Sequence, residues 1–315
     1  MNILLTGAGG IYVKYLIKKL NRKDLFNKVT IVDCDFKLLK KIKADYKYKV
    51  PPGSSTAFLP KILKIIDKRK IGVVVSVVDE ELIKFLNIKK KLFLLQPNIN
   101  FSKLCLNKYN LGRKLFKNKI NKFQTFSLIE YKNNFNYPIV IKPIVGRGSR
   151  NVSVVKNFKQ FQRITKKIRN KEKYIVQKII SGSEYTVSVL VNEKSSDYQI
   201  IPKKIIKKKR FTRKAVTEEN ILIKKSCVNL IKKFKPGGPF NVQCISSKKE
   251  VEIFEINPRL STSSTLTDAA GVNEINILVK NKFFKNLSLK NIIWNKGVKL
   301  IRTNKDSFFY ETKYK

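Results

Sequence analysis

The sequence contains no histidine. That removes a Ser-His-Asp triad, imidazole general-base catalysis and any His-ligated metal. Chemistry performed by this chain must therefore rest on carboxylates, amides, lysine, arginine, backbone donors or a hard cation. Cysteine is scarce as well. Cys34, Cys105, Cys227 and Cys244 stand far apart with no paired spacing, which argues against a disulfide framework or a zinc site and fits a reducing, cytoplasmic setting. No apolar run approaches the roughly 20 residues that a membrane-spanning helix needs. The opening residues, Met1-Asn2-Ile3-Leu4-Leu5-Thr6-Gly7, carry no basic stretch ahead of the apolar ones and read as a buried strand entering a glycine turn, not as a secretion signal.

Acidic residues are few: 22 Asp and Glu stand against 68 Lys and Arg, a formal charge of +46. Such a surplus fits a partner made of nucleic acid, anionic lipid or acidic polymer. Two features favour a compositional bias instead. Lysine heavily outnumbers arginine, although arginine is the better bidentate phosphate reader, and the lysines spread along the whole chain without forming one arm. Sequence-specific nucleic-acid binding is accordingly not expected.

What is present begins with alternating strand and helix patterns. Ile3-Leu4-Leu5-Thr6 runs into Gly7-Ala8-Gly9-Gly10 and a helical pattern, and Lys28-Val29-Thr30-Ile31-Val32-Asp33 is a second strand. Ile71-Gly72-Val73-Val74-Val75-Ser76-Val77-Val78 is the continuous apolar run of a parallel strand covered on both faces, and Asp79-Glu80-Glu81-Leu82 then starts a helix. Residues 1–104 read as a small doubly wound α/β domain. From residue 105 the pattern changes. A helix over 105–117 is followed by strands over 138–143, 151–155, 173–178, 184–191, 241–246 and 250–256, closely spaced as in an antiparallel α+β arrangement. The expected division is 1–104, 105–190 and 191–315. The charged run over 203–214 reads as a mobile loop or sheet edge.

Gly7-Ala8-Gly9-Gly10 between strand and helix, with Asp33 ending the next strand, imitates a dinucleotide site. Tyr12 breaks the full glycine fingerprint, so a tight structural turn is favoured and a nicotinamide oxidoreductase is not. The second half carries more. Tyr137-Pro138-Ile139-Val140-Ile141-Lys142-Pro143 leads to Gly146-Arg147-Gly148-Ser149-Arg150, a strand lysine followed by a loop whose backbone N–H groups a polyphosphate could approach; an ordinary hairpin turn explains the same residues. In Tyr174-Ile175-Val176-Gln177-Lys178-Ile179-Ile180-Ser181-Gly182-Ser183-Glu184, Gln177 could meet the amino edge of adenine and Glu184 a ribose, or Glu184 could be a solvated strand end. The third segment is the most specific. In Val251-Glu252-Ile253-Phe254-Glu255-Ile256-Asn257-Pro258-Arg259, alternation places Glu255 and Asn257 on one face and Phe254 and Ile256 on the other, with Gln243 able to face the first pair. Carboxylate and amide oxygens are hard ligands suited to Mg²⁺ on nucleotide phosphates, and Arg259 can bind a phosphate.

Together these segments resemble the ATP-grasp superfamily, in particular the branch related to the carbamoyl-phosphate synthase large chain, over nearly the whole sequence. Leu106-Asn107-Lys108-Tyr109 resembles the family's segment entering the ATP-binding half, and Glu255-Ile256-Asn257-Pro258-Arg259 matches its metal-strand signature. The resemblance implies an α/β N-terminal preATP-grasp, Rossmann-like domain followed by an α+β ATP-grasp fold. It implies ATP as cosubstrate and Mg²⁺ as metal, with Mn²⁺ an acceptable substitute. By it, Lys142 contacts nucleotide phosphate, the loop Gly146, Arg147, Gly148, Ser149, Arg150 covers it, Lys108 belongs to the nucleotide-binding set, Gln177, Lys178, Ile179 and Ile180 line adenine, and Glu184 holds ribose. Gln243, Glu255 and Asn257 take the metal, and Arg259 steadies the transferred phosphoryl group. The implied activity is ligation of a small-molecule carboxylate to an amine through an acyl phosphate, and a homodimer is compatible with it. Activation of bicarbonate or carbamate, and a polyanion-binding protein with a retired ATP site, are the alternatives. Departures are Asn107 for the usual Asp, Lys178 for a frequent Glu, and Leu260-Ser261-Thr262 after Arg259. The chain has the length of one such unit, where the synthase large chain has two.

Overall fold

The computed structural model describes residues 1–310 apart from 89, 147, 149, 194, 196, 210, 285, 286 and 304. The N-terminal unit alternates strand and helix: β1 (Asn2–Thr6), α1 (Ile11–Lys18), β2 (Lys28–Asp33), α2 (Phe36–Lys40), β3 (Tyr46–Lys49), α3 (Phe58–Lys68), β4 (Ile71–Ser76), α4 (Asp79–Leu86) and β5 (Phe93–Leu94). All its pairings are parallel, in the order β3-β2-β1-β4-β5. The reason lies in the valine and isoleucine runs. Val73 and Val75 pack on one face with Ile3, Leu5 and Ile31, while Val74 packs on the other with Leu4, Val32 and Phe58. A strand buried on both faces needs apolar residues at every position, which is what the run supplies.

Two helices follow, α5 (Ile99–Leu106) and α6 (Lys108–Lys117), where the sequence pattern suggests one. The break falls at Asn107. Its extended backbone lets the side-chain oxygen accept from the Asn110 N–H, making it the N-cap of α6. Asn and Asp cap equally well, so the departure at this position costs the helix nothing.

β6 (Phe126–Ser127), β7 (Ile139–Pro143), β8 (Ser153–Val155), α7 (Phe158–Lys167) and β9 (Tyr174–Lys178) form a small unit with an antiparallel sheet in the order β6-β9-β7-β8 and a core of its own. The chain then builds a seven-stranded sheet. Its elements are β10 (Ser183–Val191), β11 (Tyr198–Lys209), β12 (Phe211–Thr217), α8 (Ile221–Phe234), β13 (Gly238–Ser246), β14 (Val251–Asn257), α9 (Ser264–Ala269), α10 (Glu274–Phe284), β15 (Lys299–Arg302) and β16 (Asp306–Phe309). The order is β14-β13-β10-β11-β12-β15-β16. One face packs on α5, α6 and α8. The other joins the core of the parallel sheet through Leu190, Ile201, Leu260, Ile275 and Leu278. Among the described residues no helix is long and apolar enough to cross a membrane.

The described residues of the charged run over 203–214 are strand, not loop, and lie on β11 and β12. Lys203 and Lys204 pair with β10 and Lys214 with β15, while the described residues between them pair only across β11 and β12, at the rim of the large sheet. Lys203 is fully buried, donating to Ser188 Oγ at 2.5 Å and Thr267 Oγ1 at 2.7 Å, with Glu274 close by. A charge count along the sequence does not reveal that a lysine can be internal when hydroxyls and a carboxylate receive it.

Candidate functional site

The small sheet faces the β13–β14 edge of the large one, and the start of α6 closes the side between them. Capping by Asn107 fixes the first turn of α6, so Lys108 points inward. Its Nζ donates to the Gly146 carbonyl at 2.6 Å and lies 3.7 Å from Glu255 Oε1. Lys142, on β7, is buried and donates to the Phe254 carbonyl at 2.9 Å. Burial pulls its ammonium down to about 8. The Lys108 and Lys208 ammoniums push the same way and Glu255 opposes them. A lysine so placed carries its proton most comfortably when further negative charge is beside it.

Register puts the expected metal ligands together. Gln243 pairs directly with Glu255, and Asn257 with Asn241, so Glu255, Asn257 and Gln243 share a face. Phe254 does not follow the alternation expected for it. The β13–β14 register shifts between Gln243 and Cys244, and the resulting bulge leaves Phe254 and Glu255 both half-buried at the site. The Phe254 ring lies 5.3 Å from Lys142 Nζ and 5.9 Å from Lys208 Nζ.

A narrow slot beside this ring is lined by Thr125, Gln177, Lys178 and Ile253 among others. Gln177, on β9, donates from Nε2 to Thr125 Oγ1 at 3.0 Å, while its buried Oε1 has no hydrogen-bond partner among the described residues. Lys178 stays at the slot, its ammonium 4.5 Å from the ring centroid of Phe123, which lines the slot as well. Ile179 and Ile180 carry the chain from the small sheet to the large one, and Glu184 follows at the start of β10. Its carboxylate is ion-paired with Lys208. Gly146 and Gly148 have φ values of 145° and 68° and open space where a Cβ would stand, and Arg150 is an exposed turn residue. Arg147 and Ser149 lie outside the described residues.

Arg259 leaves the end of β14 and meets the N-terminal unit, its Nε donating to Asp79 Oδ1 at the start of α4. Burial alone would lower its pKa, but Asp79, Tyr12 and Glu255 hold the guanidinium above its ordinary value. Three groups here escaped the sequence reading. Lys208 is hidden in a run of similar lysines, Asp79 was legible only as a helix start, and Phe254 was assigned to the opposite face.

The first glycine turn is occupied with itself. Asp33 accepts from Gly9 N at 2.8 Å through Oδ2 and from Asp35 N at 2.9 Å through Oδ1, so the acid at the strand end ties the turn and its own loop.

The donor set is suited to a nucleotide-borne Mg²⁺. Among the described residues no three Asp, Glu, Cys or His side chains converge, yet Glu255 with two amides suffices for an ion that brings phosphate and water ligands of its own. The orphaned Gln177 Oε1 is an acceptor awaiting a donor such as an exocyclic amine.

Residues 105–263 match the family model for the ATP-grasp domain, half of the chain. Over 173 residues the sequence is 28% identical to a D-alanine--D-alanine ligase from Petrotoga mobilis, covering 47% of this chain and 57% of that protein. The chain thus spans little more than half the length of this curated relative. Among solved structures, biotin carboxylase from Campylobacter jejuni superposes with a TM-score of 0.73 at 15% identity over 96% of this chain and 75% of its own. L-amino acid ligase from Bacillus licheniformis does so with a TM-score of 0.70 at 15% identity, over 95% and 80%. At such identities the likeness speaks for the fold, and the family match agrees with it: the chain belongs to the ATP-grasp family.

Proposed function

We propose that the chain is an ATP-dependent ligase that activates a small-molecule carboxylate as an acyl phosphate and transfers the acyl group to an amine or related nucleophile. The observation that carries this reading is the convergence of Lys108 and Lys142, from different elements, around Glu255, with Gln243 directly opposite and Asn257 on the same face. Two positive groups beside a carboxylate–amide metal set suit a polyphosphate carrying Mg²⁺.

Bound Mg-ATP supplies the phosphoryl group that makes the carboxylate reactive. The chain's own residues position and neutralise. Gln177 Oε1 accepts from the adenine amino group, and Glu184 accepts from ribose hydroxyls. Lys108, Lys142 and the loop at Gly146 and Gly148 face the phosphates, and Gln243, Glu255 and Asn257 hold the metal. Arg259, steadied by Asp79, stands where charge builds on the transferred group. Positioning and electrostatic stabilisation are the main contributions phosphoryl transfer requires of a protein, so the lack of histidine is no obstacle. The relatives named above support a ligase; their own substrates differ, and the carboxylate here is defined only as a class.

ADP release measured with pooled carboxylates, bicarbonate included, against pooled amines tests this reading. The expected result is ADP formation that needs one member of each pool. Failure to bind ATP or ADP, with a thermal shift from NAD instead, would contradict it.

A further inference from the structure

The pairing of Lys208 with Glu184 points beyond the assigned set. β11 continues past its last pairing with β10, at Tyr185 and Lys204, and overhangs the site in company with β12. The β11–β12 register shifts twice, between Ile205 and Lys207 and between Lys207 and Lys208. Bulges re-aim side chains, and here Lys208 turns back toward the start of β10, where its ammonium holds Glu184 and stands 3.4 Å from Gln243 Oε1. It also stands over the same Phe254 ring as Lys142 and depresses that lysine's pKa, so it already sits at the phosphate side of the site.

Resting on the ATP reading above, we propose that Lys208 is a specificity residue. Its ammonium competes with a ribose for Glu184, and it gives up that carboxylate only when a nucleotide phosphate takes its place. A bare nucleoside must displace Lys208 and offers it nothing in return. A nucleotide offers a charge-assisted partner stronger than the half-exposed ion pair it replaces. The site thereby selects phosphorylated nucleotide over nucleoside. Lys208 lies beyond the β10 pairings and is an exposed residue, so replacing its side chain leaves the sheet intact.

Titration calorimetry with adenosine, ADP and ATP in the presence of Mg²⁺ tests this on the wild type, Lys208→Met and Lys208→Arg. In Lys208→Met, adenosine should bind about 2- to 5-fold tighter, the equivalent of a released surface ion pair. ADP and ATP should bind about tenfold weaker or worse, the loss of a charged hydrogen bond. Lys208→Arg should restore the wild-type order. If the wild type binds ATP but adenosine and ATP shift in the same direction in Lys208→Met, or neither shifts, Lys208 has no such role. If the wild type binds no adenine nucleotide, the ATP reading itself fails and takes this inference with it.

Discussion

Arg259 donates its Nε to Asp79 Oδ1 across 180 positions of sequence, tying the end of β14 to the first residue of α4. The pair joins the parallel-sheet unit directly to the strand that carries Glu255 and Asn257. Both side chains are largely buried. Replacing one partner strands the other's charge, at a cost of about 3–5 kcal/mol.

Asp79→Asn should therefore lower both the melting temperature and ADP formation. The double variant Asp79→Asn/Arg259→Met should recover most of the stability, because no charge is left unpaired, but none of the activity. Thermal melts and ADP release on the same samples separate the two effects. Recovery of activity in the double variant would mean that Arg259 only joins the units.

Glu81 makes a pH-dependent forecast. It is buried beside the Thr6 and Ser76 hydroxyls. Burial pushes its carboxyl from 4.5 up to about 7, against the pull of those hydroxyls. Because the folded pKa is raised, the folded chain binds more protons than the unfolded one between about 4.5 and 7. The contribution of Glu81 is thus fully present below that window and lost as pH rises through it, by about 3 kcal/mol at most. Glu81→Gln does not titrate and keeps a group able to bond the hydroxyls. Its melting temperature relative to wild type should be higher at pH 8 than at pH 5; a pH-independent difference would show that Glu81 is not strained by its charge.

Gly112 sits on α6 against Thr125, and a Cβ there would come within 1.9 Å of Thr125 Oγ1. That oxygen is the partner of Gln177 Nε2. Alanine in a helix gains about 0.5–1 kcal/mol over glycine, but overpacking costs about 1–3 kcal/mol. The second effect should win. Gly112→Ala is expected to melt lower and to bind ATP more weakly than wild type. A variant that is more stable, with unchanged ATP binding, would mean that Thr125 moves freely and does not orient Gln177.

The architecture was largely legible in the sequence, and the reason is periodicity. Residues buried on both faces, such as 71–75, can only be written as unbroken apolar runs, and the change to closely spaced strands after residue 105 marks the antiparallel sheets. The spacing of Glu255 and Asn257 was legible because two residues apart on an unbroken stretch of strand is one face. The misreadings share a cause. Phe254 is displaced by a bulge, and one unpaired residue reverses the side that alternation assigns. Lys203 and Lys208 differ by five positions in a run of like residues, yet one is internal and the other reaches Glu184. Only the neighbouring strands and the register shifts distinguish them, and neither is written locally. Asp79 meets Arg259 through tertiary packing, which no local pattern encodes.

Hydrogen exchange with and without a non-hydrolysable ATP analogue and Mg²⁺ tests the account most directly, because two parts of the chain make opposite forecasts. Nucleotide held between the two antiparallel sheets should protect amides near residues 142–146, 177–184 and 243–259, and leave the turn at 7–12 unchanged, since Asp33 already ties that turn together. Protection centred on residues 7–12 and Asp33, with the three segments unaffected, would move the nucleotide to the parallel sheet and contradict the assignment.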